Sequence, residues 1–460
     1  MSRDKLAELD REALIELILQ QAQQIATLQT EIEVLRKKLE KGKKPPTNSS
    51  NSSQPPSRDQ KGNMPVKRKK RRHGPPLGHP KYERKFVAQP DHVVEVKPQV
   101  CHACLSDVSQ EPVVLVNVNQ ITELPEAHAE VIEVRQYQLE CPCCGQEQFG
   151  QPPASLEMER TFGARLEATV VYYRQEQHMS YVRTQAALHN LHGVEISQGG
   201  IDKIMQRAGQ RAIHKVAPLE QAIQESAVIH SDETGARVDG SNWWQWVFCS
   251  LEAVLHIIRF NRSADVIRDV MGDHEAKVWV SDCLSSQLKA PAKERQLCLS
   301  HQIRNLQAVV EQYPTVSWAR LVQALLRYAI HLHHQRETLS EEIFSKKRQR
   351  IESLFDKLLA RSLEQPKAKR LQRRYLKYRD GVFLFLYRTD VSPTNNISEQ
   401  RLRPAVIHRK VTGGFRSDWG AQTYAALKSL TDTASLSGIA PFQVIQNLLG
   451  TPSLPLRGCE

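Results

Sequence analysis

A stretch of forty residues, 41–80, limits what this 460-residue chain can fold into more than any other feature. It contains Asn-Ser-Ser-Asn-Ser-Ser-Gln, several prolines, and eleven Lys or Arg side chains against one acid. Such a segment buries too little apolar surface to offset its conformational entropy, so we expect a flexible linker. The chain must therefore fold as separate units on either side of it. The overall 40% of hydrophobic residues excludes a wholly disordered protein.

The linker also holds most of the positive charge of the chain. It contributes +10 of the formal net charge of +12, so the other 420 residues are nearly neutral. A basic run of this kind neutralises phosphates without reading sequence, although a solvated tether is its commoner role, and both roles are compatible. We expect DNA attraction to begin at the uninterrupted run Lys67, Arg68, Lys69, Lys70, Arg71 and Arg72.

Before the linker, residues 11–40 carry a heptad pattern over about four repeats. Gln21 occupies the one polar seam position, and the apolar positions are Leu14, Ile18, Ile25, Leu28, Ile32, Leu35 and Leu39. The narrow stripe predicts a coiled coil and hence a homo-oligomer. The alternative is an amphipathic helix folded back on its own chain.

After the linker, five of the nine cysteines lie within 101–144. Cys143 is a surplus thiol, and two Cys-x-x-Cys pairs are formed by Cys101, Cys104, Cys141 and Cys144. Two such pairs supply the four sulfurs of a structural zinc site, here with β-like valine runs at 93–96 and 131–134. Cysteines buried without metal are the alternative. We see no signal peptide and no apolar stretch that spans a membrane, so we expect a cytoplasmic protein.

Residues 160–215 show a helical pattern in three parts. We predict helices at 165–177, 181–191 and 199–208, with a break at His192-Gly193 and an N-cap at Ser197. A helix, a short glycine-containing turn and a second helix make a helix-turn-helix pattern, which often binds DNA. A helical connector without DNA contacts is equally consistent with it.

The following region contains apolar runs that predict a sheet. Residues 227–231 and 277–281 read as buried strands that end at Asp232 and Asp282. Residues 243–250 and 254–260 read as two further strands, and 263–271 as a short helix. Residues 303–388 are mostly helical, with an apolar segment at 383–387, and a later helix carries Glu399.

Two aspartates at strand ends and a glutamate on a later helix could meet at one edge of the sheet. Their oxygens suit Mg²⁺ or Mn²⁺, and two such ions would catalyse phosphodiester chemistry at a water or a 3′-hydroxyl. Spacing alone leaves other readings open: Asp232 in a turn, Asp282 as a helix cap, and Glu399 in a capping box or paired with Arg403. No phosphate-binding loop is present.

Three stretches resemble the large transposase of the insertion-sequence 66 family. They are Ile229-His-Ser-Asp-Glu-Thr-Gly-Ala-Arg-Val238 with Trp244-Gln-Trp-Val247, Pro393-Thr-Asn-Asn-Ile-Ser-Glu-Gln-Arg-Leu-Arg-Pro404, and Arg409-Lys-Val-Thr-Gly-Gly-Phe-Arg-Ser417 with Ser429-Leu-Thr-Asp-Thr433. The coiled coil, the basic linker and the cysteine pairs also resemble that family, so the likeness covers nearly the whole chain.

The resemblance implies a ribonuclease-H-like DDE domain that cuts insertion-sequence ends and joins 3′-hydroxyls to target DNA. Asp232, Asp282 and Glu399 would be the acidic triad, with Asp232 bridging two ions and Asp273 as the rival of Asp282. A helical insertion would occupy about 305–385. His301 of Cys298-Leu-Ser-His301 would touch DNA or orient the site, or be structural. DNA backbone contacts would come from Arg401, Arg403, Arg409, Lys410 and Arg416, unless they form only a solvated basic face.

The expected class is therefore multidomain α+β. Its predicted units are a coiled coil (1–42), a basic disordered linker (43–85), a zinc-binding module (86–155), a helix-turn-helix-like domain (156–222), a catalytic domain (223–435) and a C-terminal tail helix (436–460). Small accessory proteins are plausible partners beside DNA. The rival hypotheses are a non-catalytic, zinc-containing DNA-binding regulator and a ribonuclease-H-like nuclease without strand transfer.

Overall fold

A computed structural model describes part of the N-terminal helix and most of the chain after the linker. The described residues are 21, 23–25, 27–32, 84–152 and 160–450. Those between 21 and 32 are helical, and Ile25, Leu28 and Ile32 are exposed. The rest of the predicted coiled coil lies outside the described residues, as do the basic run 67–72 and the end of the chain from 451.

Residues 84–152 contain one short antiparallel hairpin, formed by β1 (Gln138–Glu140) and β2 (Glu147–Phe149). The valine runs at 93–96 and 131–134 are not strands, so that prediction was wrong. Their side chains lie in solvent, and Val131 is 97% exposed. An alternating pattern forms a strand only where a neighbouring strand and an apolar surface cover it. Neither of these two runs has such a partner.

Three helices follow, and they confirm the predicted helical pattern. They are α1 (Ala164–Gln175), α2 (Tyr181–His192) and α3 (Gln198–Ile213). Gly193 ends α2 in the left-handed conformation, with a φ of 65°. The Ser197 hydroxyl accepts a hydrogen bond from the backbone N–H of Gly200 and caps α3, as predicted.

The central element is a mixed five-stranded sheet. It consists of β3 (Val228–Val238), β4 (Ser241–Cys249), β5 (Val254–Arg259), β6 (Ala276–Ser281) and β7 (Ala292–Leu297). The strand order is β5-β4-β3-β6-β7, with β3, β4 and β5 antiparallel and β6 and β7 parallel to β3. Helix α4 (Ala217–Gln224) precedes the sheet, and α5 (Asp265–Met271) connects β5 to β6. The structure is thus a mixed α+β fold.

Two details of the predicted sheet were wrong. The first strand does not end at Asp232, because β3 continues to Val238 by pairing with β4 in a hairpin. Asp232 therefore lies within a strand and not in a turn. The edge strand β7 was missed, because only the ends of Ala292–Leu297 are buried and its centre is polar.

Residues 299–386 are helical, and their hydrophobic cluster also includes Val278 and Val280 of β6 and Leu297 of β7. The helices are α6 (Leu299–Gln312), α7 (Ser317–His334), α8 (Glu341–Leu359), α9 (Pro366–Lys377) and α10 (Asp380–Phe383). The apolar segment at 383–387 continues α10 with a 3-10 turn, and the backbone N–H of Phe385 donates to Gln296 Oε1 of β7 (3.0 Å). This hydrogen bond ties the helical region to the edge of the sheet.

The last helices are α11 (Asn396–Thr412), α12 (Asp418–Leu436) and α13 (Pro441–Leu449). Leu427 of α12 and Ile445 and Leu449 of α13 share one buried cluster with α1, α2 and α3. The C-terminal helices thus complete the core of the first three. No helix among the described residues is long and apolar enough to cross a membrane.

Candidate active site

Asp232 lies within β3, and Asp282 directly follows the neighbouring parallel strand β6 at the matching position. The register pairs His230 of β3 with Val280 of β6, so each aspartate lies two residues beyond a paired residue. Side chains at matching positions project from the same face, and neighbouring strands are about 4.8 Å apart. Oδ1 of Asp232 accepts a hydrogen bond from the N–H of Glu233 (2.9 Å), and Oδ1 of Asp282 accepts one from the N–H of Leu284 (2.8 Å).

Glu399 reaches this edge of the sheet because the start of α11 is tied to β3. The Asn395 side chain is fully buried, and its Nδ2 donates to the carbonyl of Ser231 (2.8 Å), one residue before Asp232. The Asn395 N–H also donates to Cys298 Sγ (3.2 Å). The Pro-Thr-Asn-Asn stretch therefore fixes the first turn of α11, where Glu399 lies.

The three acids influence one another electrostatically. Burial, followed by the charges of Glu233 and Asp282, raises the pKa of Asp232 well above its usual value, and Glu399 adds to this effect. Burial also raises the pKa of Asp282. It raises the pKa of Glu399 too, where Arg304 and Arg403 oppose the shift and Asp282 supports it. The three acids are half-buried, and a nearby cation would reduce the repulsion between their negative charges.

His301 lies beside the third acid. Its Nδ1 is 3.5 Å from Glu399 Oε1, and burial lowers the pKa of His301 to about 3, so its ring is neutral. Both of these atoms are buried without a hydrogen-bond partner. Burial raises the pKa of the Cys298 thiol to about 11, so this sulfur is not a thiolate. A carboxylate oxygen such as Glu399 Oε1, which also lies 3.7 Å from Arg304 Nη2, suits a hard divalent cation such as Mg²⁺ better than a thiophilic one.

One tight group of possible metal ligands is present in the described part of the chain. Cys298, His301 and Glu399 have ligand atoms that all lie within 4.8 Å of one another. Asp232, Asp282 and Glu399 do not form so tight a group there.

Glu233 is a fourth buried acid that the sequence did not single out. Its carboxylate accepts hydrogen bonds from Arg262 Nε (3.0 Å) and from Gln287 Nε2 (2.7 Å). Gln287 also donates to Ser231 Oγ (3.2 Å) and accepts from Trp279 Nε1 (3.0 Å). Burial and Asp282 raise the pKa of Glu233, and its two partners oppose the rise. This network braces β3 against β6 directly beside the aspartates.

Three of the cations predicted to contact DNA are exposed. Arg403 and Lys410 lie on the outer face of α11, and Arg416 lies in the turn before α12. Arg403 is close enough to Glu399 to lower its pKa. These side chains are free to meet a phosphate backbone near the acids.

The other two predicted cations are held within the fold. Arg401 is half-buried, donates to Ser435 Oγ (2.8 Å) and pairs with Asp432 (3.4 Å). Arg409 lies against β3, where a Cβ on Gly235 would approach its guanidinium to 3.0 Å. Both side chains join α11 to neighbouring elements.

The two cysteine pairs adopt the same turn. The N–H of Cys101 donates to Ser106 O (2.9 Å), and the N–H of Leu105 donates to Cys101 O (2.9 Å). The same two bonds recur forty residues later, at Cys141, Gly145 and Gln146. Hydrogen bonds, chiefly from Ser106, lower the pKa of Cys104 to about 7. The two turns thus share one backbone shape, but the described residues do not gather their cysteines into one cluster.

Comparison with known proteins agrees with this arrangement. A search of curated proteins finds no match. The family model described as "Transposase IS66 family" matches residues 159–423, which include the whole sheet and all three acids. Because this match covers more than half of the 460 residues, the chain belongs to the IS66 transposase family.

Proposed function

We propose that this protein is a DDE transposase that cleaves insertion-sequence ends and joins the 3′-hydroxyls to target DNA. The observation that carries the proposal is the register of β3 and β6, which sets Asp232 beside Asp282. The strand order, an antiparallel meander followed by two parallel strands, supports a ribonuclease-H-like catalytic domain. The match to the IS66 transposase family model supports the same function.

Asp232, Asp282 and Glu399 would hold two Mg²⁺ or Mn²⁺ ions. When bound, such ions activate a water or a 3′-hydroxyl and stabilise the leaving oxygen. The charges of both other acids raise the pKa of Asp232, so this carboxylate would be suited to contact both ions. Glu399 Oε1 has no hydrogen-bond partner but lies 3.7 Å from Arg304 Nη2, so a metal ion that binds this oxygen would replace that ion pair. Neutral His301 orients this carboxylate or touches the DNA.

The DNA backbone would pass along α11, where Arg403 and Lys410 are exposed, and on to Arg416. The run 67–72 in the linker would supply the first, non-specific attraction. The two cysteine turns would bind one structural zinc ion, and the heptads would join copies of the chain. Small accessory proteins could act with this assembly.

Cleavage of DNA that carries the inverted repeats flanking the gene tests the proposal. We expect Asp232→Asn, Asp282→Asn and Glu399→Gln each to lower Mg²⁺-dependent nicking by more than about a hundredfold, with DNA binding retained. Asp273→Asn is the matched control, because Asp273 is exposed in the turn before β6. Wild-type nicking in the Asp232 variant would disprove the triad.

The reaction products separate transposition from the rival activities. Joined strands indicate a transposase, and nicks without joined products indicate a nuclease. Binding without nicks, by protein that carries its divalent ions, indicates a regulator without catalysis.

A further inference from the structure

A cavity of about 430 Å³ lies between α3 and the corner that joins α11 to α12. One wall is the Thr412-Gly-Gly-Phe-Arg-Ser417 stretch, and the other includes residues of α1, α2 and the start of α3. None of the catalytic steps above uses this cavity. Its volume is in the range that holds small organic ligands.

The corner is a fixed wall, because Gly414 binds it to the end of the β3–β4 hairpin. Gly414 has a φ of 109°, and a Cβ at this position would lie 2.6 Å from the Arg237 carbonyl oxygen. The next residue, Phe415, donates its N–H to that same oxygen (2.8 Å), and the N–H of Asp239 donates to Phe415 O (3.0 Å). Only glycine allows this close approach, so the backbone holds this wall of the cavity in place.

Aromatic rings line much of the cavity. The rings of His408 and Phe415 are stacked, with centroids 5.0 Å apart and an interplanar angle of 23°, and Tyr424 lies 4.5 Å from His408. Tyr181 and Trp419 also line it, and Trp419 remains 39% exposed. His408, Phe415 and Tyr424 pack on one another and Arg174 lies over the Tyr181 ring (4.3 Å), so a flat ligand would stack on the exposed ring of Trp419.

Polar atoms in the lining lack hydrogen-bond partners. Tyr424 is 3% exposed and His408 is 6% exposed, yet the Tyr424 hydroxyl and His408 Nδ1 have no partner, and neither has Arg174 Nε. A buried polar atom without a partner is unfavourable, and these atoms lie just behind the cavity surface, so a ligand with donors and acceptors would bond to them after a small movement of the lining side chains. The ligand must therefore be flat, aromatic and polar at its edge.

Charge and position connect the cavity to DNA. Arg174 and exposed Arg416 line it, whereas the one lining acid, Asp202, already accepts a hydrogen bond from the Tyr181 hydroxyl (2.8 Å). His408 follows Glu399 by nine residues on α11, which is about 13 Å along the helix axis. At about 3.4 Å per nucleotide, this is roughly four steps along a DNA strand.

From this geometry we infer that the cavity receives an unstacked nucleobase of the DNA, with the adjacent phosphate near Arg416. The inference rests on the proposed function, because it takes DNA to be the substrate of the site at Glu399. Enzymes that extrude a base hold it in this manner, by stacking and by hydrogen bonds to its edge. This inference gives a role to the stretch 409–417, the third of those that resemble the insertion-sequence 66 family: it forms one wall of the cavity.

The test uses the full-length protein, without divalent metal, and two short duplexes of arbitrary sequence. One contains a single unpaired 2-aminopurine nucleotide, and the other is fully paired. We expect the bulged duplex to bind about tenfold more tightly, because its base is already unstacked, and its fluorescence to be quenched on binding. Trp419→Ala and Tyr424→Phe should each reduce this preference and leave the affinity for the paired duplex unchanged.

Tyr375→Phe is the matched control, because it removes a hydroxyl that is equally buried and unpartnered but lies in the cluster of the helical region. It should leave the preference intact. Equal affinities for the two duplexes, or a preference that survives both cavity variants, would overturn the inference. A separate Mg²⁺-dependent nicking assay keeps the two proposals apart: nicking without a bulge preference refutes the cavity alone, and a bulge preference without nicking refutes the catalytic proposal alone.

Discussion

Replacing Asp232 by asparagine should stabilise the metal-free protein while it abolishes DNA cleavage. The Asp232 carboxyl group is buried beside Glu233, Asp282 and Glu399, and this environment raises its pKa well above the usual value. Asparagine has nearly the same shape but carries no charge. It therefore removes like-charge repulsion and leaves the packing of β3 in place.

The size of the effect follows from the strand geometry. Charges about 5 Å apart on neighbouring strands repel by about 3 kcal/mol at an effective dielectric constant of about 20. Protonation of the wild-type carboxyl relieves part of this repulsion, because a raised pKa means that a proton is bound more readily. We therefore expect Asp232→Asn to raise the free energy of unfolding by about 1–3 kcal/mol at neutral pH.

Urea denaturation in a chelating buffer measures this difference. Asp273→Asn is the control, because its side chain is exposed in the turn before β6 and its midpoint should not change. Added Mg²⁺ should then stabilise the wild type but not Asp232→Asn, because a ligand that binds only the folded state raises its stability. If Asp232→Asn is no more stable than the wild type without metal, the carboxylate is a structural group and the reasoning fails.

Three further predictions concern the surroundings of the site. Asn395→Ala should lower nicking by about 10- to 100-fold with DNA affinity unchanged, because the bond to Ser231 that positions Glu399 is lost; unchanged nicking would contradict this role. Burial raises the pKa of Asp432, but a hydrogen bond and charge from His256, with Lys428, lower it overall from 3.8. Because the pKa of Asp432 is lower in the folded state, ionised Asp432 stabilises the fold at pH values above its unfolded-state pKa. This stabilisation is lost as the pH falls through the folded-state pKa. We therefore expect Asp432→Asn to lower the free energy of unfolding by about 3 kcal/mol at neutral pH. Urea midpoints should converge with the wild type at acidic pH, and a constant gap would refute this. Elemental analysis should find one zinc ion per chain, lost in Cys141→Ser and retained in Cys143→Ser; equal loss in both would argue against the assigned ligands.

The sheet could be predicted from sequence where its strands are mostly apolar and buried. The runs before Asp232 and Asp282 are buried on both faces, and both were found. The outer half of β3 could not be found, because Glu233 and Thr234 are polar and the strand is held there by β4. The edge strand β7 could not be predicted either, because the residues at its centre are polar and face solvent.

The acids of the site were predicted, but the groups that position them were not. Glu233 takes its partners from Arg262 and Gln287, 29 and 54 residues away along the chain. Asn395 contacts Ser231 across 164 residues. Contacts of this range leave no local period in a sequence, so only the folded structure reveals them.

The valine runs at 93–96 and 131–134 show the opposite error. Their alternation is typical of a strand, yet the structure leaves them exposed without a neighbouring strand. Alternation of apolar and polar residues indicates only which side chains a segment could bury if it formed a strand. Whether it forms a strand depends on a partner, and the sequence does not identify one.

Register, and not sequence spacing, decides which acids can act together. Asp273 is nearer to Asp232 along the chain than Asp282 is, but it precedes β6 and lies in an exposed turn. Asp282 follows β6, and the parallel pairing sets it beside Asp232. The long gap to Glu399 does not set its position, because Asn395 ties α11 directly to β3. Changes in the length of that helical region should therefore be tolerated, whereas a shift of one residue in the pairing of β3 with β6 would turn one aspartate away from the other.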